Sequence, residues 1–148
     1  MIALSEDRGS SRDESRIDAE AARKARRTVL IVDDQSALRR LIHYALRDRY
    51  RVLEAEDSES TIATLAEESI DLVLLDLHLP PRLESPSEGL RTYGRIRERS
   101  PKLPVVIVTS NTDSTLRQAL LGKGAQAYLK KPFDIDTLVN VVDGLLRN

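Results

Sequence analysis

The chain is predicted to be an α/β protein: a doubly wound, five-stranded parallel sheet with helices on both faces. Three observations predict it. Short apolar runs alternate with amphipathic stretches five times from Thr28 onward. The connections between them are short, which favours an open sheet covered by crossover helices. At least one run, residues 71 to 75, is apolar throughout after its first residue, as a central parallel strand covered on both faces must be.

The elements follow in order. Thr28-Val29-Leu30-Ile31-Val32 forms the first strand and runs straight into Asp33-Asp34. A helix is predicted from about residue 36 to 48, with Leu38, Leu41, Ile42, Ala45 and Leu46 at helical spacing. Residues 50 to 55 read as a half-buried strand, and 58 to 68 as a second amphipathic helix with Ile62 and Leu65 inward. The third strand, 71 to 75, runs into Asp76. A loop rich in Pro, Ser and Glu precedes a helix over 87 to 99. Residues 104 to 108 give a fourth buried strand and 112 to 123 a fourth helix, broken by Gly122 to Gly124. A short fifth strand, 127 to 129, leads to a last helix over 134 to 147 with Asp134 at its N-cap.

Residues 1 to 27 differ from all this. Ser, Asp, Glu and Arg dominate, large apolar residues are few, and the segment has little with which to form a core. It is expected to be a charged tail, disordered or loosely helical, preceding one domain over 28 to 148. Its Arg23-Lys24-Arg26-Arg27 cluster is most simply a solvated face.

Composition narrows the function. The chain has no cysteine, which excludes disulfides, thiolate metal sites and thiol nucleophiles. No apolar run approaches the ~20 residues of a membrane span, so a soluble, cytoplasmic protein without membrane insertion is expected. The formal net charge is −1 and aromatic residues are 3%. Neither the basic footprint nor the stacking platform of a nucleic-acid binder is present, and direct nucleic-acid binding is not expected.

In doubly wound sheets ligands bind beyond the carboxyl ends of the strands, where strand order reverses. Asp33, Asp34 and Asp76 fall on that edge, Thr109 ends the fourth strand, and Lys131 follows the fifth. Three carboxylates in one crevice repel one another unless protons, a counter-ion or a metal intervenes. A hard cation with oxygen ligands, Mg2+ above all, suits them and leaves coordination positions for phosphate oxygens. Phosphoryl chemistry is therefore the leading expectation.

Four motifs together are specific: Val-Asp-Asp at 32 to 34, Leu-Asp-Leu-His-Leu-Pro at 75 to 80, Val-Thr-Ser at 108 to 110, and Gly-Ala-Gln-Ala-Tyr-Leu-Lys-Lys-Pro-Phe at 124 to 133. With them the chain resembles the receiver domain of two-component response regulators from about Thr28 to Arg147. The resemblance implies a flavodoxin-like sheet of order 2-1-3-4-5. It implies that Asp76 is the phosphoacceptor, attacking a phosphohistidine and becoming an acyl phosphate. Asp33 and Asp34 would hold Mg2+ (Mn2+ is an alternative) together with Asp76 and the main-chain carbonyl of His78. Lys131 would reach the phosphoryl oxygens, helped into place by a cis peptide to Pro132. Thr109 and Tyr128 match the family's switch pair, so that chemistry at Asp76 would alter the surface of helix four, strand five and helix five. His78 and Asn111 stand at the two positions that tune phosphoryl lifetime. The implied partners are a histidine kinase or histidine phosphotransfer protein and a downstream effector, with a homodimer through the switch surface as a further option. Such a domain catalyses only its own phosphotransfer and dephosphorylation and is not an enzyme in the ordinary sense.

Two other classes of protein fit the residues less well. A haloacid-dehalogenase-like phosphatase carries a second Asp two positions after its nucleophile in strand one, whereas position 35 is Gln. A phosphorylation-independent interaction domain would not need Asp33, Asp34, Asp76, Thr109 and Lys131 together. One departure from the family pattern stands out. A glycine usually follows soon after the proline beyond the phosphoacceptor, but residues 80 to 88, PPRLESPSE, delay it to Gly89. Similar insertions occur in some receivers of enhancer-binding activators; here the loop is expected to be a partial lid, a partner contact or an inert surface loop. The chain stops at Asn148, soon after the last helix, so output is expected from a partner or from a longer chain. The last helix carries Leu138, Val139, Val141, Val142, Leu145 and Leu146, a band wider than one inward stripe needs and either fully packed or part of an interface.

Overall fold

Strand formation at residues 28–32, 51–55, 72–75, 105–109 and 127–130 follows from β-branched and leucine-rich runs, and the computed structural model, which describes residues 13–18 and 26–147, assembles them into one parallel sheet. We label the strands β1 (Thr28–Val32), β2 (Arg51–Ala55), β3 (Leu72–Leu75), β4 (Val105–Thr109) and β5 (Ala127–Lys130). The helices are α1 (Ser36–Leu46), α2 (Ser58–Glu67), α3 (Ser87–Arg99), α4 (Ser114–Gly122) and α5 (Ile135–Leu146). Strand order is β2-β1-β3-β4-β5 with every pairing parallel, as the resemblance implies. Residues 13–18 are helical and exposed; the rest of the predicted tail, apart from Arg26 and Arg27, lies outside the described residues.

Because side chains alternate across a strand, the sheet builds two cores. Leu30, Val32, Val73, Leu75, Val105 and Ile107 pack with Tyr93, Ile96 and Leu120 on the face covered by α2, α3 and α4. Val29, Ile31, Leu72, Leu74, Val106 and Val108 pack with Ile42, Leu46, Leu138 and Val142 on the face covered by α1 and α5. The central strands β1, β3 and β4 are buried along their whole length.

Several sequence expectations are corrected in detail. Helix α1 ends at Leu46 rather than 48, and Leu41 is 52% exposed, outside the inward stripe formed by Ile42 and Leu46. Asp134 occupies the N-cap position of α5, but its side chain makes no capping hydrogen bond. The side-chain caps are at Asp57, which forms a reciprocal box with Ser60, and at Asp113, which accepts from the amides of Thr115 and Leu116. The apolar band on α5 is packed: Leu138, Val139, Val142 and Leu146 are buried, and Val141 and Leu145 lie against the same core. Among the described residues no helix is long and apolar enough to cross a membrane.

The loop after β3 is fixed by a close backbone approach. The Gly89 amide donates to the Leu77 carbonyl at 3.0 Å, and a Cβ at position 89 would overlap the Leu77 main chain. The glycine postponed by the insertion therefore sits where α3 must pass nearest to the segment following Asp76.

Candidate functional site

Register places the reactive groups. Val32 of β1 pairs with Leu75 of β3, so the next residue of each strand, Asp33 and Asp76, emerges at the same level beyond the sheet. The Asp33 amide donates to the Ala55 carbonyl at 3.1 Å and the Asp76 amide to the Val32 carbonyl at 2.9 Å, so the ladder holds both past the strand ends. Strands β1 and β3 are neighbours at the reversal of strand order, where the chain leaves β1 for β2 on one side and returns to β3 on the other.

Carboxylate oxygens of Asp33, Asp34 and Asp76 lie within 4.8 Å of one another. Asp33 and Asp76 are buried and Asp34 is half-buried. Lys131 Nζ lies 2.6 Å from Asp33 Oδ2 and 3.0 Å from Asp76 Oδ2, donating to both. The lysine follows β5, and its peptide bond to Pro132 is cis, as the resemblance implies. Asp33 Oδ1 accepts from the Gln35 amide at 2.8 Å and Asp76 Oδ1 from the His78 amide at 3.1 Å.

One ammonium thus serves two buried carboxylates, with a third beside them. Burial raises the pKa of Asp33 above 3.8, against the hydrogen bonds from Lys131 and Gln35, and the Asp76 charge pushes the same way. Burial alone would lower the Lys131 pKa, but the hydrogen bond and charge of Asp33, together with Asp76, raise it above 10.5. By formal count three carboxylates face one lysine in this crevice. An all-oxygen donor set with surplus charge fits a hard divalent cation such as Mg2+.

An open cleft of about 520 Å³ leads to Asp76. Asp34, Gln35, His78, Leu83, Ser110, Lys131 and Pro132 line the rest of it. Two larger clefts lie elsewhere, one of them at the opposite edge of the sheet near Asp71 and Pro104, and none of the carboxylates described above lines either. Chemistry, not size, marks the site.

The remaining predicted residues stand beside it. Thr109, fully buried at the end of β4, accepts from the Asn111 amide at 3.4 Å through its hydroxyl, while its carbonyl accepts from the Lys131 amide at 2.8 Å. The Tyr128 hydroxyl donates to the Asn111 carbonyl at 3.1 Å, and the Arg117 guanidinium lies 5.8 Å from its ring centroid. Thr109, Asn111, Tyr128 and Lys131 are therefore linked through the β4–α4 loop. His43 is not part of the carboxylate cluster: its Nδ1 bonds Glu54 at 2.9 Å. Lys130 is exposed.

Sequence reasoning missed two groups and one contact of a predicted residue. Arg39 pairs with Glu54 at 2.9 Å and donates to the Asp33 carbonyl at 2.6 Å, bracing the acidic loop against the edge strand. Ser110 lines the cleft. His78 Nδ1 bonds the Leu83 carbonyl at 2.8 Å, which brings the inserted loop to the cleft. Only the inserted loop left a trace in the sequence, as an unusual length; one more arginine on a charged helix carries no signal of its own.

Residues 29–143 match the family model of the response regulator receiver domain. The chain belongs to that family. Curated relatives of this receiver domain include the probable transcriptional regulatory protein TcrX of Mycobacterium tuberculosis, 35% identical over 121 residues that cover 81% of this chain and 50% of that protein. The DNA-binding transcriptional regulator NtrC of Salmonella typhimurium is 34% identical over 78% of this chain and 24% of its own length. The chain thus spans half or less of these relatives. Among solved structures, the signal receiver domain of a putative Luxo repressor protein from Vibrio parahaemolyticus superposes with a TM-score of 0.75 at 28% identity, covering 82% of this chain and 91% of that one. TrrA of Thermotoga maritima, solved in complex with Mg2+ and BeF, superposes with a TM-score of 0.68 at 29% identity over 81% of this chain and 99% of that one.

Proposed function

We propose that this receiver domain accepts a phosphoryl group on Asp76 from a phosphohistidine of a histidine kinase or phosphotransfer protein and passes the change to a downstream effector. The observation that carries the reading is the position of Asp76: a buried carboxylate at a strand end, 3.0 Å from the Lys131 ammonium, at the floor of a cleft shared with Asp34.

Asp33, Asp34, Asp76 and the His78 carbonyl would hold Mg2+, or Mn2+ in its place. When bound, the cation supplies charge neutralisation for the carboxylates and for the incoming phosphoryl oxygens. An Asp76 carboxylate oxygen forms the new bond to phosphorus, the bond from phosphorus to the imidazole nitrogen breaks, and the imidazole leaves with that electron pair. Lys131 stabilises the charge on the equatorial oxygens during the transfer. Phosphorylation converts the Asp76 carboxylate that partly holds Lys131 into an acyl phosphate, so the ammonium is free to follow the phosphoryl group.

Thr109 is the group through which the β4–α4 loop senses this event. Its hydroxyl already bonds the Asn111 amide, and the Asn111 carbonyl holds Tyr128. A Thr109 hydroxyl drawn to the phosphoryl group loosens that loop, and Tyr128 repositions on the surface formed by α4, β5 and α5. That surface, on one copy or two, is where the effector or a homodimer partner is read. His78 and Asn111 flank the approach of water to the acyl phosphate and set its lifetime. The domain acts on itself alone, within the cytoplasm and without touching DNA directly.

Intact mass after incubation with acetyl phosphate tests the reading. One added phosphoryl group that requires Mg2+ and disappears in Asp76→Asn is the expected result. No gain in mass with either Mg2+ or Mn2+ contradicts it and favours a phosphorylation-independent interaction domain.

A further inference from the structure

The loop that lengthens the β3–α3 connection is ordered by hydrogen bonds at several points. The Arg82 amide donates to the Leu79 carbonyl at 3.2 Å, and the Ser85 amide to the Arg82 carbonyl at 3.1 Å. His78 Nδ1 lies 2.8 Å from the Leu83 carbonyl. A carbonyl only accepts, so this bond fixes the ring proton on Nδ1. Leu83 is thereby brought into the lining of the Asp76 cleft, yet its side chain remains 48% exposed. An apolar side chain that both lines the cleft and meets solvent stands at the cleft mouth.

In-line displacement puts the leaving group on the side of phosphorus opposite the attacking carboxylate. Asp76 is buried at the floor of the cleft, so the leaving group departs through the mouth, where Leu83 stands. The other lining groups, Asp34, Gln35, Ser110 and Lys131 among them, are largely polar. We propose that Leu83, tied down by His78, is a specificity-determining residue for the phosphodonor, packing against a heteroaromatic leaving group and disfavouring a small carboxylate one. This rests on Asp76 being the phosphoacceptor. With an imidazole donor the N–P bond breaks and neutral imidazole leaves from its ring-protonated phosphoramidate. With acetyl phosphate the P–O bond breaks and acetate leaves with the electron pair. The flat ring offers apolar surface to Leu83, and acetate offers a single methyl group beside a solvated carboxylate.

Initial rates with monophosphoimidazole and with acetyl phosphate, both with Mg2+, test the assignment in wild type, Leu83→Ser and His78→Ala. Leu83→Ser is expected to lower the ratio of imidazole-donor to acetyl-donor rates by about fivefold, the scale of a lost apolar contact in a reaction pocket. His78→Ala is expected to lower the same ratio in the wild-type background and to have a smaller effect in the Leu83→Ser background, because part of its effect acts through the position of Leu83. An unchanged ratio in Leu83→Ser, with wild type accepting phosphoryl from both donors, overturns the role of Leu83 and leaves Asp76 as acceptor. Failure of wild type to take a phosphoryl group from either donor removes the acceptor reading and this inference with it. Leu83 is exposed enough that its substitution leaves the fold intact, and thermal unfolding of each variant verifies this.

Discussion

Lys131 is the residue on which the site's charge balance turns. It donates to Asp33 and Asp76 at once and is 15% exposed, so it is already aimed where the phosphoryl oxygens of the proposed reaction would arrive. Lys131→Ala is expected to slow phosphorylation by acetyl phosphate about 100-fold, the scale of losing one preorganised donor to a developing anion. The time course of intact mass measures it. The same substitution leaves two buried carboxylates without their counter-charge, so the variant should also depend more on Mg2+ for thermal stability. Much of this was legible in the sequence, because acidic and basic residues at strand ends are few and their order is informative. Arg39 was not legible. Its contact with Glu54 depends on where β2 lies beside β1, which no local pattern encodes.

At the scale of elements, Gly89 and Tyr50 fix how helices meet the sheet. The amide of Gly89 bonds the Leu77 carbonyl, leaving no space for a side chain there. Gly89→Ala is expected to destabilise the domain by about 2–3 kcal/mol through overpacking against backbone, read as a lower urea midpoint. Tyr50 joins the start of β2 to α5: its hydroxyl donates to Asp143, a buried carboxylate that also pairs with Arg49. Burial and the Asp143 charge raise its pKa to about 12. A raised folded-state pKa for an acid that is neutral below it means that the contribution to stability is complete below pH 10 and is lost as pH climbs toward 12. Urea midpoints followed over that range should fall in wild type and fall less in Tyr50→Phe. The β-branched strands and the amphipathic helices were readable because burial imposes a period on sequence. Helix ends were less readable. Asp134 has the composition of a cap yet bonds nothing, whereas Asp57 caps α2 through a serine three residues on.

Across the whole molecule, the parallel sheet brings residues nearly a hundred positions apart, Asp33 and Lys131, to a single 2.6 Å contact. The proposed switch groups Thr109 and Tyr128 belong to the two strands nearest the lysine, so the site and the surface it is proposed to control share a loop and a strand pair. The position of the site was legible because the candidate residues stand at or just past strand ends and every strand ends on the same edge, whereas the strand order came from the family resemblance. The inserted loop was legible only as an excess of length; its return to the cleft depends on one histidine tautomer and one carbonyl. The most direct measurement is borohydride reduction of the domain after phosphorylation with acetyl phosphate and Mg2+, followed by peptide mapping. An acyl phosphate on Asp76 is reduced to homoserine at position 76, and that conversion should be absent without Mg2+. Homoserine at another position, or a phosphoryl group that survives the reduction, would contradict Asp76 as the phosphoacceptor.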